Sequence, residues 1–143
     1  MIRETKPADI DSVYRVEEES FSRTWSKSSL ESELEKETCE FLVFECDGVV
    51  AGYIIFWYIL DEGEVGHIAV KQACRRKGIA VKLLNECINR HPEVRNIYLE
   101  VDKTNAGAIC LYRKLGFLTT GEIKDYYGKG VDALRMALSI PKK

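Results

Sequence analysis

The sequence of 143 residues predicts an α/β protein with a mixed sheet of about seven strands and about four helices. Apolar residues recur at helical spacing in four separate segments, which predicts the helices. Between these segments lie runs rich in β-branched and aromatic residues, bounded by turn residues, which predict the strands. Because the sequence contains no repeat, linker or low-complexity stretch, we expect a single domain over residues 1–143.

The N-terminal part of the chain is predicted to contain one strand and two helices. Ile2 to Thr5 favours a short strand, and Pro7 favours the first turn of a helix, where no backbone N–H is needed. A second helix is predicted over residues 26–37, with Ser26 or Ser28 as its N-terminal cap. The apolar residues of the first helix are Ile10, Val13, Val16 and Phe21.

The middle of the chain is predicted to form a hairpin followed by a further strand. Phe41 to Cys46 and Val49 to Leu60 flank Asp47-Gly48, a dipeptide typical of a two-residue hairpin turn. Glu64 to Val70 is the next predicted strand, and its last three residues are the apolar Ile68-Ala69-Val70.

A basic turn connects this strand to a helix predicted over Gly78 to Arg90. The turn contains Arg75, Arg76 and Lys77, and the small residues Gly78 and Ala80 follow. Cations at a helix N-terminus oppose the helix dipole unless an anion binds there, and small residues let a ligand approach the backbone. The turn therefore indicates a phosphate site, with a solvated surface turn as the alternative.

The C-terminal part is predicted to contain three strands and one helix. Asn96 to Val101 is mostly apolar on both sides, as is typical of a strand covered on both faces. Asn105 to Leu115 is predicted to be helical, with Gly116 just beyond its end. Phe117 to Tyr127 and Val131 to Leu138 complete the predicted sheet.

Two polar residues in this part are candidates for a functional site. Glu100 interrupts an apolar strand, where a buried carboxylate is costly unless it is solvated, hydrogen-bonded or used in chemistry. Because burial makes a carboxylate more basic, Glu100 is a candidate general base, and simple exposure at a splayed strand is the alternative. Tyr112 lies on the apolar stripe of the last helix, where core packing would also explain it. Asn105 is most simply the cap of that helix.

Several aromatic residues and one histidine are candidates for a substrate cleft. Phe21 and Trp25 lie in the predicted loop between the first two helices, which they could instead staple together. Tyr126 and Tyr127 precede a Gly-Lys-Gly turn and fit either a hairpin or a lid over a peptide. His67 is a further candidate, although a histidine in a strand is often only structural.

Composition argues against several classes of protein. A net charge of -2 argues against general nucleic-acid binding. The longest apolar run, Val49 to Leu60, contains Gly52 and is too short to cross a membrane. Charged residues interrupt any signal-peptide core at the N-terminus, so we expect a cytoplasmic protein.

The five cysteines include no C-x-x-C pair, so no metal site is expected. Cys46 and Cys87 lie in apolar-periodic segments, and we expect both to be buried. Cys110 is near the candidate site in sequence, but it is a less favoured nucleophile because no Cys–His pair is evident.

Two spaced patterns link the basic turn to the last helix. The first is Arg75-x-x-Gly78-x-Ala80, and the second is Asn105-x-x-Ala108-x-x-Leu111-Tyr112-x-x-Leu115-Gly116-Phe117. The first pattern matches Gln or Arg, two residues, Gly, one residue, Gly or Ala, and the second follows at the usual distance. On these patterns the chain resembles the GNAT superfamily of acetyl-CoA-dependent N-acetyltransferases over nearly its whole length.

Three further motifs narrow the resemblance. They are Phe21-x-x-x-Trp25-Ser26, Leu99-Glu100-Val101, and Tyr126-Tyr127 followed by Asp132-Ala133-Leu134-x-Met136. Together they are similar to the RimI-type ribosomal-protein-alanine acetyltransferases. Three departures lie on the acceptor side of this pattern. They are Thr24 in place of proline, Asp102-Lys103-Thr104-Asn105 in place of Arg-x-Ser-Asn, and His67 in place of asparagine.

The resemblance implies a GNAT fold with a mostly antiparallel sheet, and acetyl-CoA as co-substrate without a metal. It implies that backbone groups of the apolar strand end hold the pantetheine arm and acetyl group, while the basic turn cradles the pyrophosphate. It also implies Glu100 as proton acceptor and Tyr112 as proton donor. The implied cofactor-binding residues are Ile68, Ala69, Val70, Arg75, Arg76, Lys77, Gly78, Ile79, Ala80, Val81 and Asn105. The implied acceptor-binding residues are Trp25, His67, Tyr126 and Tyr127.

The function implied by the resemblance is acetylation of a protein N-terminus, with an N-terminal alanine of a ribosomal protein as the acceptor. No direct contact with nucleic acid or a membrane is expected. Two alternatives remain open. One is acetylation of a small amine, and the other is a non-catalytic acyl-CoA-binding module.

Overall fold

The structure is a computed structural model that describes residues 1–141. Within this range the chain forms seven strands, four α-helices and two short 3₁₀ helices, which confirms the predicted α/β class. The strands are β1 (Ile2–Glu4), β2 (Cys39–Cys46), β3 (Val49–Ile59), β4 (Glu62–Val70), β5 (Asn96–Asp102), β6 (Leu118–Ile123) and β7 (Ala133–Ser139). The helices are α1 (Ile10–Ser20), α2 (Lys27–Glu33), α3 (Ile79–Arg90) and α4 (Ala106–Lys114), with 3₁₀ turns at Pro7–Asp9 and Gln72–Cys74.

The strand order of the sheet is β1-β2-β3-β4-β5-β7-β6. Antiparallel pairing joins β1 to β2, β2 to β3, β5 to β7 and β6 to β7. β4 and β5 are parallel and are paired through Glu62–Glu64 and Asn96–Tyr98. The predicted mixed, mostly antiparallel sheet is therefore confirmed.

The chain divides into two compact units. Unit 1 comprises Met1–Tyr58 and Val65–Pro92, and unit 2 comprises Ile59–Glu64 and Glu93–Lys143. The first three residues of β4 belong to unit 2, whereas the rest of the strand belongs to unit 1. The prediction of a single domain over residues 1–143 stays a prediction.

The core of unit 1 forms where α1 and α2 bury their apolar stripes among strands. Three of the four predicted stripe residues, Ile10, Val13 and Val16, are buried on α1, whereas Phe21 is partly buried and follows the end of the helix at Ser20. Other buried members of this core are Leu30, Phe41, Val43, Val50, Tyr53, Ile55 and Ala69. The helix predicted from Pro7 begins instead with a 3₁₀ turn, so α1 starts at Ile10.

Two predictions of local structure in unit 1 concern the turn of the hairpin and the cap of the second helix. Asp47 and Gly48 both have positive φ, 52° and 77°, as the predicted hairpin turn requires. Ser26 caps α2 by accepting the Ser29 N–H at 3.0 Å. α2 is shorter than predicted, because the N–H groups of residues 34–36 bond three residues back and tighten the last turn.

The two cysteines predicted to be buried have different outcomes. Cys87 is buried on the inner face of α3, as predicted. Cys46 is exposed, because β2 ends there at the hairpin turn and its last residue leaves the core.

Unit 2 corrects two predictions about strands. In β5, Ile97, Leu99 and Val101 are buried while the alternating residues are only partly covered. The prediction that this strand is covered on both faces is therefore wrong, and Glu100 lies on the partly covered face. The strand predicted over residues 117–127 ends at Ile123, so Tyr126 and Tyr127 lie in a loop.

Side-chain hydrogen bonds form this loop within residues 124–132. Asp132 Oδ1 accepts the Asp125 N–H at 2.9 Å, and Asp125 Oδ1 accepts the Gly130 N–H at 2.7 Å. Asp125 also has a positive φ of 56°, which interrupts the extended backbone of a strand.

Among residues 1–141, no helix combines the length and the apolar character needed to cross a membrane.

Candidate active site

The basic turn of unit 1 leads into a helix that no side chain caps within the described residues. Gly78 occupies the N-cap position with φ 76°, and Arg76 also has a positive φ, 67°. No described atom outside the adjacent chain lies within 4 Å of the place a Cβ would take at Gly78. Backbone N–H groups of the first turn are therefore left for an anion or for water.

The three cations of the turn have different positions. Arg75 Nε donates to the Val70 carbonyl at 3.0 Å, and its Nη2 lies 3.4 Å from Ser20 Oγ. Arg75 therefore ties the turn to β4. Arg76 and Lys77 are exposed, and Arg76 is held in the left-handed region by the turn itself.

The apolar residues on either side of the turn can offer a ligand mainly their backbone. Ile68, Ala69 and Val70 are buried, with exposures between 5% and 9%. Ile79 and Ala80 are buried as well, whereas Val81 is 42% exposed. This geometry fits a chain-like ligand that contacts main-chain groups along β4 and phosphates at the start of α3.

Two carboxylates and one guanidinium share a face of the sheet in unit 2. Glu64 is opposite Tyr98 on β5, Glu100 is two residues further along, and Arg135 on β7 is opposite Glu100. The Glu100 side chain is 15% exposed, and its Oε1 lies 3.8 Å from Arg135 Nη1. The Arg135 guanidinium also lies 5.5 Å from the centre of the Tyr98 ring.

The electrostatics of this face differ for its two carboxylates. Burial raises the pKa of the Glu64 carboxyl, the negative charge of Glu100 raises it further, and Arg135 opposes both effects. Glu64 is therefore the carboxylate that binds a proton more readily than usual. This arrangement can accept protons and can attract a cationic group.

The tyrosine loop of unit 2 lies beside Glu100. Tyr127 Oη donates to the Glu100 backbone carbonyl at 3.2 Å, and the Tyr126 ring packs edge-on against Tyr127 at 4.9 Å. Partial burial raises the pKa of the Tyr126 hydroxyl, and the charges of Glu100 and Glu64 raise it further. The structure thus brings together three predicted site residues, Glu100, Tyr126 and Tyr127.

α4 carries the remaining two predicted residues of unit 2. Tyr112 is 6% exposed, and burial raises the pKa of its hydroxyl well above the ordinary value. Asn105 Oδ1 accepts the Ala108 N–H at 3.1 Å, which confirms that Asn105 caps the helix. Cys110 is exposed, and both histidines of the chain belong to the other unit, so the structure shows no Cys–His pair within unit 2.

A second cluster of predicted residues lies in unit 1. The His67 ring stacks on Phe21 at 4.4 Å and lies against Trp25, also at 4.4 Å between ring centroids. Trp25 in turn stacks on Trp57 at 6.1 Å. The two predicted acceptor residues Trp25 and His67 are therefore in contact, together with Phe21.

Three charged residues near these predicted sites were not predicted from the sequence. Glu17 is fully buried in unit 1 and contacts His67, while Glu64 and Arg135 lie with Glu100 in unit 2. The signal for Glu17 was its place on the stripe of α1, four residues after Val13. Glu64 lies at the predicted start of a strand, where a charged residue does not by itself indicate a functional site. Within residues 1–141, no group of three or more His, Cys, Asp or Glu side chains is placed to hold a metal ion.

Comparison with known proteins defines the class of this protein. The chain matches the Acetyltransferase (GNAT) family over residues 10–117, and it belongs to that family. It is therefore an acetyl-CoA-dependent N-acetyltransferase.

Three relatives show which members it resembles. The chain is 35% identical to a Bacillus subtilis protein provisionally named ribosomal protein bS18-alanine N-acetyltransferase, over 97% of this chain and 95% of that protein. It is 33% identical to an N-alpha-acetyltransferase of Sulfurisphaera tokodaii, over 95% of this chain and 90% of the relative. The crystal structure of the ribosomal-protein-S18-alanine N-acetyltransferase from Escherichia coli superimposes with a TM-score of 0.86 at 29% identity, covering 100% of this chain and 95% of that one.

Proposed function

We propose that this protein transfers an acetyl group from acetyl-CoA to the N-terminal α-amine of a protein, and that a ribosomal protein beginning with alanine is the acceptor. The observation that carries this proposal is the hydrogen bond from Tyr127 to the backbone of Glu100. It fixes a loop similar to the peptide-binding element of RimI-type enzymes beside the candidate base. The names of the relatives from Bacillus subtilis and Escherichia coli support the same acceptor.

The proposed acetyl-CoA site uses the backbone of unit 1. Main-chain groups of Ile68–Val70 hold the pantetheine arm and acetyl group, and residues 76–81 bind the pyrophosphate. The uncapped start of α3, its open approach at Gly78 and the exposed Arg76 and Lys77 support this assignment. Arg75 supports the site indirectly, because its guanidinium fastens the turn to β4.

The proposed reaction begins with removal of a proton from the acceptor. An α-amino group has a pKa near about 8, so most of it is protonated at neutral pH and cannot attack a thioester. Glu100 takes this proton, directly or through a water, and the free amine nitrogen attacks the acetyl carbonyl carbon. A backbone N–H of Ile68–Val70 donates to the developing oxyanion.

Collapse of the tetrahedral intermediate breaks the carbon–sulfur bond and releases the thiolate of CoA. Tyr112 gives its proton to that sulfur, and the nitrogen passes its second proton through water to the Tyr112 oxygen as the amide forms, which restores the hydroxyl. The raised pKa of Tyr112 supports this role only in part, because it keeps the hydroxyl protonated while making the transfer less favourable. The partly covered position of Glu100 next to Glu64 supports its role as base.

One observation favours a second acceptor class, a small cationic amine. Glu64 and Glu100 together carry more negative charge than Arg135 can balance, and such a face attracts a cation of any size. The loop of Tyr126 and Tyr127 argues for a peptide instead, since a small amine needs no extended wall.

The test is release of free CoA across a panel of N-terminal peptides and small amines, with mass spectrometry locating the acetyl group. We expect turnover with peptides that begin with alanine and a product acetylated at the α-amine. Turnover with small amines alone would overturn the proposed acceptor. Release of CoA that does not depend on any acceptor would contradict the proposed reaction.

A further inference from the structure

Glu17 on α1 is fully buried within unit 1, with an exposed fraction of 0%. A buried carboxylate is costly unless hydrogen bonds compensate for the lost water. α1 could have carried an apolar residue at this position of its stripe, where Val13 and Val16 are buried as well. The structure therefore calls for an explanation of this charge.

Three hydrogen-bonding groups from three different elements converge on the Glu17 carboxylate. The Trp25 N–H, in the loop after α1, donates to Oε2 at 2.9 Å. Tyr53 Oη on β3 donates to Oε1, and His67 Nδ1 on β4 lies 2.7 Å from the same oxygen. An ionised carboxylate only accepts hydrogen bonds, so three donors suit it.

This arrangement determines where His67 carries its proton. If Glu17 is ionised, His67 must donate from Nδ1, and in the neutral ring Nε2 is then an acceptor with a free lone pair. The described residues provide no hydrogen-bond partner for Nε2, and the His67 side chain is 16% exposed. Nε2 is thus the ring atom that can accept a hydrogen bond from a ligand.

The same carboxylate also holds the loop that encloses this ring. Its bond to Trp25 fixes the backbone of the loop, and the side chains of Phe21 and Trp25 contact the His67 ring. One buried group therefore controls both the orientation of the ring and the aromatic residues around it.

We infer that Glu17 is a positioning residue that holds His67 as its Nδ1–H tautomer, and Trp25 against it, so that His67 Nε2 can accept a hydrogen bond from the acceptor peptide. This inference rests on the proposed function, because it assigns the acceptor to the Trp25 and His67 cluster. Glu17 touches no reacting atom, and it acts only through the two residues that it holds.

Unit 1 contains a matched control for this pair. His91 Nε2 lies 3.0 Å from Glu40 Oε1, and the His91 ring stacks on Tyr58 at 3.8 Å. Glu40 and His91 thus repeat the chemistry of a carboxylate and a stacked histidine, but they belong to neither predicted binding surface. Glu40→Gln should leave acetylation unchanged.

The first measurement is nitrogen-15 NMR of the imidazole rings in the wild-type protein. The chain has two histidines, so the ring signals are readily assigned with a His91→Gln variant. We expect His67 to carry its proton on Nδ1 at neutral pH. A proton on Nε2 instead would overturn the inference without any variant at position 17.

The second measurement compares Glu17→Gln with Glu40→Gln. A glutamine amide would face Nδ1 with its NH₂ group, so we expect the His67 proton to move to Nε2. Loss of this acceptor should lower kcat/KM for the peptide about ten- to a hundredfold, as expected for a hydrogen bond involving a charged group. The Kd of acetyl-CoA should change by less than about twofold, because the proposed contacts of the co-substrate are backbone groups and the basic turn, which this substitution leaves in place.

The kinetics distinguish failure of this inference from failure of the proposed function. Unchanged peptide kinetics in Glu17→Gln, with an active wild-type enzyme, would overturn the inference but leave the proposed function intact. A wild-type enzyme that acetylates no peptide would remove the proposed function and the inference with it.

If Glu17→Gln fails to fold, Tyr53→Phe removes one donor and keeps the carboxylate, and it should retain the Nδ1–H tautomer and the peptide kinetics. A shifted tautomer in Tyr53→Phe would contradict the inference.

Discussion

Glu64 and Glu100 show how two identical side chains on one face acquire different properties. Glu64 binds a proton more readily because of its burial and the neighbouring charge of Glu100. Glu100 lies close to Arg135, which partly balances its charge. Glu100 is the base that we propose, and the neighbouring Glu64 adds negative charge to the same face.

At the scale of single residues, the first prediction is that Glu100→Gln lowers kcat by about 10² to 10⁴-fold, because general base catalysis typically accelerates a reaction by that factor. The amide cannot accept a proton, but it keeps the shape of the side chain. Affinity for acetyl-CoA should remain nearly unchanged in calorimetry. Wild-type turnover in this variant would exclude Glu100 as the base.

The second prediction concerns Glu64 and stability. Its pKa in the folded state is above the unfolded value, so between these values the folded state binds more protons, and stability falls as pH rises. At neutral pH the ionised carboxylate therefore lowers the free energy of unfolding. Glu64→Gln should raise this free energy at neutral pH and reduce its fall as the pH rises above the ordinary pKa of a glutamate, measured by urea unfolding.

Glu62→Gln is the matched control, because Glu62 lies on the same strand and is exposed. It should leave the pH dependence of unfolding as it is in the wild type. A Glu64→Gln protein that is less stable than wild type at neutral pH would contradict the argument.

At the scale of elements, α3 and α4 begin in opposite ways. Asn105 caps α4 by accepting the Ala108 N–H, whereas α3 has no side-chain cap and begins after Gly78. A side-chain cap satisfies a backbone N–H at the helix start, while an uncapped start leaves its first N–H groups for water or another molecule. The difference supports the proposed phosphate site at the start of α3, and it gives Asn105 a structural role at the start of α4.

The prediction for α4 separates the two roles of Asn105. Asn105→Ala should lower the free energy of unfolding by about 1 kcal/mol, the usual effect of losing a cap. Asn105→Asp keeps an acceptor oxygen and should retain stability, but it cannot donate a hydrogen bond to acetyl-CoA. Weaker binding of acetyl-CoA by the stable Asp variant is expected, and unchanged binding would exclude a contact through the Asn105 amide.

At the scale of the whole molecule, the charge is unfavourable for an anionic co-substrate. The chain has 21 basic and 23 acidic residues, and its net charge of -2 repels phosphates at long range. We therefore propose that binding of acetyl-CoA depends on local cations such as Arg76 and Lys77. Short-range attraction of this kind is weakened by salt.

The prediction compares two substitutions that change the net charge equally. Arg76→Ala should raise the KM of acetyl-CoA and make it less sensitive to ionic strength, because a local cation is lost. Arg113→Ala on α4, where Arg113 is exposed, should have a much smaller effect. Equal effects of both variants, in rates measured between about 0.05 and about 0.3 M salt, would mean that the overall field and not the turn attracts acetyl-CoA.

Much of this architecture could be predicted because its signals are local. The turn at Asp47 and Gly48, the cap at Ser26 and the stripe of α1 each depend on residues a few positions apart. Predictions were wrong where distant contacts decide. The exposure of one face of β5 depends on which elements pack there. The loop that replaces the end of β6 is held by the side chains of Asp125 and Asp132 and by the bond of Tyr127 to Glu100, 27 positions away.

The sequence by itself determined the α/β class, the basic turn and the positions of Glu100 and Tyr112, because periodicity, capping and motif spacing are encoded over short distances. Only the tertiary structure decided that Tyr53 and His67 contact Glu17, since these two residues lie 36 and 50 positions after it in the sequence. The sequence does not show whether a glutamate at an apolar position of a helix is surrounded by water or by three hydrogen-bond donors. Burial and hydrogen bonding are properties of the packed elements, and these give the carboxylate its structural role.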